Sequence, residues 1–271
     1  MARPPARKAR RRAPVDRGAR GLDFMNLLPA MPRLEARHWR VEEVAQLVVG
    51  VIVGTLAAGT AAELLLRGTA AGSGPEATFV RLLVGLLGLQ VSGLALVHLF
   101  LRRHGCGWGS GFGMRPDLRA VAWGMTMALA AVLVAYPLEE GIVAVLRAIG
   151  KAPEPQASVR FLQTAPRWQQ ALIGFLAVVP AAVVEEALFR GVLYSAGRDA
   201  GHRGLAWVGS SLLFGLAHGH LPTLVPLTLF GALLAWTYER TGSLLACCVA
   251  HAGFNTVGLL VAITSGGATG H

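Results

Sequence analysis

Long apolar runs constrain this chain more than any other feature. They lie near residues 44–66, 79–101, 119–147, 169–197, 204–219, 222–238 and 243–265. A helix needs about 20 apolar residues to cross the hydrocarbon core of a bilayer, whereas a barrel strand needs only about 10 with strict alternation. These runs are too long and too continuous for strands. Inside lipid every backbone polar group must be paired within the protein, so helices are the remaining solution. The expectation is an all-α, polytopic membrane protein with about seven transmembrane helices over 41–268. Composition agrees: 54% of the residues are hydrophobic and 15% charged, with a mean hydropathy of +0.52. A soluble domain carries about 25% charge. The run 119–147 contains Pro137, Glu139 and Glu140 and weakens toward its end.

The net charge of +10 is concentrated at the N-terminus, where Arg3, Arg7, Lys8, Arg10, Arg11, Arg12, Arg17 and Arg20 are followed by Arg33, Arg37 and Arg40. A basic segment of this kind can bind nucleic acid. Ahead of an apolar run it reads better as a partly disordered cytoplasmic tail, 1–40, obeying the positive-inside rule, and no nucleic-acid partner is expected. No short apolar region with a small-residue cleavage site follows it, so it is not read as a secretory signal. With the tail inside, Arg102, Arg103, Arg115, Arg119, Arg198, Arg203 and Arg240 fall at cytoplasmic loops. The segment 147–167 would then lie outside despite Arg147, Lys151, Arg160 and Arg167, a conflict eased if an amphipathic helix there lies on the interface. Cys106, Cys247 and Cys248 form no disulfide framework or zinc spacing.

Ionisable residues inside spans cost about 2.5–3.5 kcal/mol on insertion scales and mark function by default. Here they gather in the last four runs: Glu185, Glu186 and Arg190 in 169–197, His218 with Phe214 in 204–219, and His251 with Asn255 in 243–265. Glu186 and Arg190 are four apart and can pair on one helix face, while Glu185 points about 100° away. His251 and Asn255 share a face by the same spacing. Counted from Arg198, Arg203 and Arg240, Glu185, His218 and His251 sit at similar depth, roughly 16–23 Å from the cytoplasmic ends. A single intramembrane histidine is commonly a packing residue. A carboxylate, two imidazoles and an amide at matched depth are harder to explain by packing.

A poorly solvated carboxylate makes a usable general base near neutral pH. Imidazoles and an amide can polarise a carbonyl and receive a developing oxyanion. Attack of an activated water on a peptide bond needs nothing more. A serine hydrolase fits poorly, because Ser210 and Ser211 lack a surrounding nucleophile turn. One glutamate and two histidines could also ligate zinc; no HExxH is present, but residue types alone leave zinc open.

Glu185-Glu186-x-x-x-Arg190, Phe214-x-x-x-His218 and His251-x-x-x-Asn255, in this order, resemble the signature motifs of the CPBP family of intramembrane proteases. That family includes the eukaryotic enzyme that trims prenylated CAAX tails, the bacterial Abi proteins and bacteriocin-processing or self-immunity proteins. Phe189-Arg190-Gly191 and Glu239-Arg240-Thr241-Gly242-Ser243-Leu244 agree with it as well, so the resemblance covers about 169–258. It implies a helical membrane fold with a conical chamber and a metal-free, cofactor-free glutamic endopeptidase. Carried over by motif, Glu185 is the catalytic base and His218 helps position the water. His251 and Asn255 form the oxyanion site, and Glu186 and Arg190 support Glu185.

The implied partners are the bilayer and a membrane-associated peptide or protein substrate, and the implied location is a bacterial plasma membrane with the N-terminus cytoplasmic. Rival readings are a non-catalytic immunity or scaffold protein of the same fold, a zinc-dependent membrane protease, and a transporter. The last predicts a paired polar set in the early spans, where His98 and Glu63 are read as lone structural residues.

Overall fold

The computed structural model describes residues 37, 39–67, 74–151 and 153–267. The expected tail 1–40 therefore lies, apart from Arg37, Trp39 and Arg40, outside the described residues. The described residues form helices and connecting turns with no strand. In chain order these are α1 (Val41–Leu66), α2 (Pro75–Arg103), α3 (Trp108–Phe112), α4 (Leu118–Ala148), α5 (Ala157–Thr164), α6 (Arg167–Val178) and α7 (Pro180–Glu186). A π-helical segment (Ala187–Tyr194) then leads to α8 (Ser195–Asp199), α9 (Arg203–Ala217), α10 (Leu221–Thr241) and α11 (Leu244–Gly267).

Among the described residues six helical stretches are long and apolar enough to cross a membrane: 41–66, 75–103, 118–148, 167–199, 221–241 and 244–265. The seventh expected span, 204–219, is α9, whose 15 residues rise only about 22 Å against a hydrocarbon core of about 30 Å. It stops at Ala217 because Gly219 takes a left-handed conformation, φ +60°, and turns the chain into α10. The helix of α4 runs unbroken through Pro137. Outward faces are apolar throughout, as with Val53 and Leu56 on α1, Leu129 and Leu133 on α4 and Leu205 and Leu213 on α9. That is the pattern of helices solvated by lipid.

One end of the bundle is closed by aromatic packing. Trp39, 6% exposed, meets the rings of Phe100 and Phe112 edge-on at 5.1 and 5.8 Å. The Arg37 amide donates to Asp199 Oδ2 at 2.6 Å, its guanidinium donates to the Ser110 carbonyl, and Arg203 donates two hydrogen bonds to the Glu239 carboxylate, Nε to Oε1 at 2.6 Å and Nη2 to Oε2 at 2.7 Å. Gly242, left-handed at φ +61°, ends α10 at this face. The opposite end is covered by the segment 153–166. Its helix α5 buries Phe161 and Leu162, and Phe161 stacks on Phe79 of α2 at 6.0 Å. The α9–α10 turn is tied to the same cover: His220 Nε2 donates to the Glu154 carbonyl at 3.1 Å. The amphipathic helix expected in the segment 147–167 is α5, packed onto the bundle as a cap.

The stretch 167–199 is the least regular. Pro180 has no N–H, so α6 stops and α7 begins after a single residue, Val179. After Glu186 the backbone changes to π geometry, a form that usually occurs as a single inserted turn at functional positions.

Candidate active site

The two adjacent glutamates stand where α7 meets the π segment, and their surroundings differ. Glu186 is fully buried; its Oε1 accepts from Arg190 Nη1 at 2.9 Å and from His251 Nδ1 at 2.7 Å. Arg190, also fully buried, spends Nη2 on the Gly231 carbonyl of α10 at 3.0 Å and lies over the Phe214 ring at 4.4 Å. This close approach requires Gly231, since a Cβ there would lie 3.1 Å from the Ser211 backbone and 3.4 Å from Arg190 Nη2. A buried charge is tolerable only when paired and hydrogen-bonded, and groups from α10 and α11 supply part of that requirement; Glu186 Oε2 and Arg190 Nε are buried without a hydrogen-bond partner.

Glu185 is set apart. Its side chain keeps 18% exposure, and its carboxylate Oε2 faces His251 Nε2 at 4.0 Å, beyond hydrogen-bond range. His251 therefore stands between the two carboxylates: Nδ1 is committed to Glu186 and Nε2 is turned toward Glu185. The imidazole is held edge-on between Phe214 and Phe230, at 5.5 and 5.6 Å.

His218 terminates α9. Its Nδ1 donates to the Phe214 carbonyl at 2.9 Å, which in the neutral ring leaves Nε2 as an acceptor. It makes no direct polar contact with the glutamates or His251; the Phe214 ring touches both imidazoles, at 5.0 Å from His218 and 5.5 Å from His251. Asn255 lies one turn beyond His251 on α11, but its Nδ2 donates to the Ala177 carbonyl at the end of α6, at 2.9 Å. The structure thus gathers Glu185, Glu186, Arg190 and His251 into one cluster, with His218 and Asn255 at its margins.

Two participants carry no motif and are missed by reading the sequence alone. Gln90 of α2, 3% exposed, donates to the Leu176 carbonyl at 2.8 Å. Pro180 is the reason that carbonyl is available. The only signal in the sequence is a lone amide inside a long apolar run.

As for zinc, no group of three or more His, Cys, Asp or Glu side chains among the described residues is arranged to hold an ion. His251 Nδ1 already serves Glu186. An open apolar depression is lined by Leu94, Ala95, His98, Trp108, Met114 and Val183. Val183 is two residues from Glu185 and so, at about 100° per residue, lies on the other side of α7.

Residues 167–257 match a family model described as type II CAAX prenyl endopeptidase, Rce1-like. The matched stretch runs from α6 into α11 and contains all the residues of the cluster together with His218 and Asn255. No curated protein and no solved structure matches the chain. The resemblance of the motif region to the CAAX-processing proteases therefore stands on an independent comparison.

Proposed function

Given an α6–α11 region of the Rce1-like CAAX-endopeptidase type in a helical membrane protein, we propose that the chain hydrolyses a peptide bond of a membrane-associated substrate with a water activated by Glu185. One observation carries this reading. Of two neighbouring carboxylates, Glu186 is buried and bonded by Arg190 and His251, while Glu185 is partly open and unbonded. Pairs of like groups with unlike surroundings are how a site divides structural from acid–base duty.

In the proposed reaction Glu185 takes a proton from water as the oxygen attacks the scissile carbonyl carbon. His218 Nε2, an acceptor in its observed bonding, orients that water. The oxyanion is received by His251 Nε2 when protonated and by the second Nδ2 hydrogen of Asn255, whose first is held by Ala177. Collapse of the tetrahedral species breaks the C–N bond, and the proton on Glu185 passes to the leaving amine. Glu186 and Arg190 fix the imidazole. The N-terminus lies in the cytoplasm on this reading.

The test uses purified protein in liposomes and a peptide panel: prenylated peptides ending in CAAX, the same peptides unprenylated, and membrane-spanning peptides. Products are read by mass spectrometry for wild type and Glu185→Gln, with and without a chelator. Cleavage that persists with chelator and falls on the order of 10³-fold in the variant is the expected result. Equal cleavage by both proteins removes Glu185 as the base. Cleavage abolished by the chelator alone overturns the metal-free mechanism. Preference within the panel identifies whether the prenyl group is read.

A further inference from the structure

The helix that bears the glutamates is interrupted five residues before Glu185, and the interruption is closed by side chains from two other helices. Within a regular helix the Leu176 carbonyl would accept from the N–H of residue 180. Position 180 is proline, so that donor does not exist. Gln90 supplies a replacement: its Nε2 meets Leu176 O at 2.8 Å. The next carbonyl, Ala177 O, receives Asn255 Nδ2 at 2.9 Å. Two consecutive carbonyls at the break are thus held by amides from α2 on one side and α11 on the other.

The approach of α2 is built for this bond. Gln90, Gly93 and Val97 form one buried stripe on α2 at helical spacing. Gly93 sits against Val184, and any Cβ at that position would collide with the valine side chain. The stripe therefore brings the α2 backbone close to α7 at the residue preceding Glu185. A buried glutamine with an unused amide is destabilising, and the structure avoids this by placing the amide where proline has removed a backbone donor.

We propose that Gln90 is a positioning residue for Glu185: its amide stands in for the N–H missing at Pro180 and thereby sets the direction in which α7 presents that carboxylate. The proposal builds on the hydrolase reading but concerns the clamp itself. It makes a specific claim, that Gln90 matters because Pro180 is proline. A backbone N–H restored at position 180 would make the glutamine dispensable.

The experiment compares four full-length proteins in liposomes: wild type, Gln90→Met, Pro180→Ala and the double variant. Each is treated with dicyclohexylcarbodiimide, a lipid-soluble reagent that couples to carboxyl groups, and adducts at Glu185 and Glu186 are quantified by mass spectrometry. Wild type is expected to label at Glu185 in preference to Glu186. Gln90→Met should change the Glu185 rate by about fivefold or more, and by less than about twofold when Pro180 is already alanine, a coupling typical of groups that share a partner. Equal effects in the two backgrounds overturn the proposal, as does an unchanged rate in Gln90→Met or the absence of any Glu185 adduct. Should Gln90→Met fail to fold, recovery of folding in the double variant supports the clamp and continued failure overturns it.

The cleavage assay gives a second readout. In the presence of activity, Gln90→Met should lower kcat about tenfold with KM within about twofold, the signature of a misplaced reacting group rather than lost binding. A change confined to KM overturns the positioning role. Cleavage by wild type without coupling in the labelling cycle leaves the hydrolase reading intact and removes the clamp. Coupling without cleavage by any protein does the reverse.

Discussion

Replacing Arg190 by methionine would leave Glu186 charged and fully buried with His251 as its one remaining partner, and would free the Gly231 carbonyl. Breaking a buried ion pair from one side costs about 3–5 kcal/mol, because the survivor is uncompensated. Glu185→Gln should behave otherwise. That carboxylate is partly exposed and makes no hydrogen bond, so its neutralisation should change stability by no more than about 0.5 kcal/mol while abolishing cleavage. Reversible unfolding in detergent micelles measures both. Comparable destabilisation by the two substitutions would mean that Glu185 is structural too. His251→Phe falls between these cases. The ring space between Phe214 and Phe230 accepts a phenyl group, so the cost is mainly the charged hydrogen bond to Glu186, about 1.5–3 kcal/mol.

At the scale of elements, α10 reaches the glutamate-bearing stretch through Gly231. Gly231→Ala introduces a methyl 3.1 Å from the Ser211 Cα and carbonyl, both of them backbone atoms, and presses on Arg190 Nη2. Overpacking of this kind costs about 1–3 kcal/mol. It should also lengthen the Arg190–Gly231 bond, so the thermal midpoint of Gly231→Ala should fall even though alanine favours a helix over glycine. An unchanged or raised midpoint would show that α9 and α10 can separate at no cost. The elements also show where the sequence is legible. Apolar run length locates every span, because lipid leaves helices few alternatives, and the four-residue spacing of Glu186 and Arg190 anticipates their pairing. The π geometry between them has no comparable signal, since the same apolar residues are compatible with an α-helix. The short reach of α9 is hidden because no Asp, Glu, Lys, Arg or Pro falls between Gly204 and Leu221 to mark where the helix ends. The Gln90 bond is invisible for another reason: the partner is a backbone carbonyl, and only the fold shows which one Pro180 has left open.

For the whole molecule, charge and topology pull in different directions. The end closed by Trp39 holds Arg37, Arg102, Arg103, Arg198, Arg203 and Arg240, and basic residues of this density favour the cytoplasm. The other end carries Arg147, Lys151, Arg160 and Arg167. Arg160 is paired with Glu154 at 2.7 Å, and acidic partners contribute little to the positive-inside bias, so pairing alone does not dissolve the conflict. Folding offers a better account. The cap helix α5 is packed onto α2, α6 and α11 through Phe161 and Leu162, so this segment is fixed to the bundle by contacts that a simple charged loop lacks. Orientation would then be set by the earlier and denser cluster. With Cys106 replaced by serine and the buried Cys247 and Cys248 left in place, single cysteines at Lys151 and at Arg240 separate the alternatives. A membrane-impermeant maleimide applied to intact cells should label the Lys151→Cys protein and spare Arg240→Cys until the membrane is opened. The opposite pattern would place the cap in the cytoplasm and the end closed by Trp39 outside.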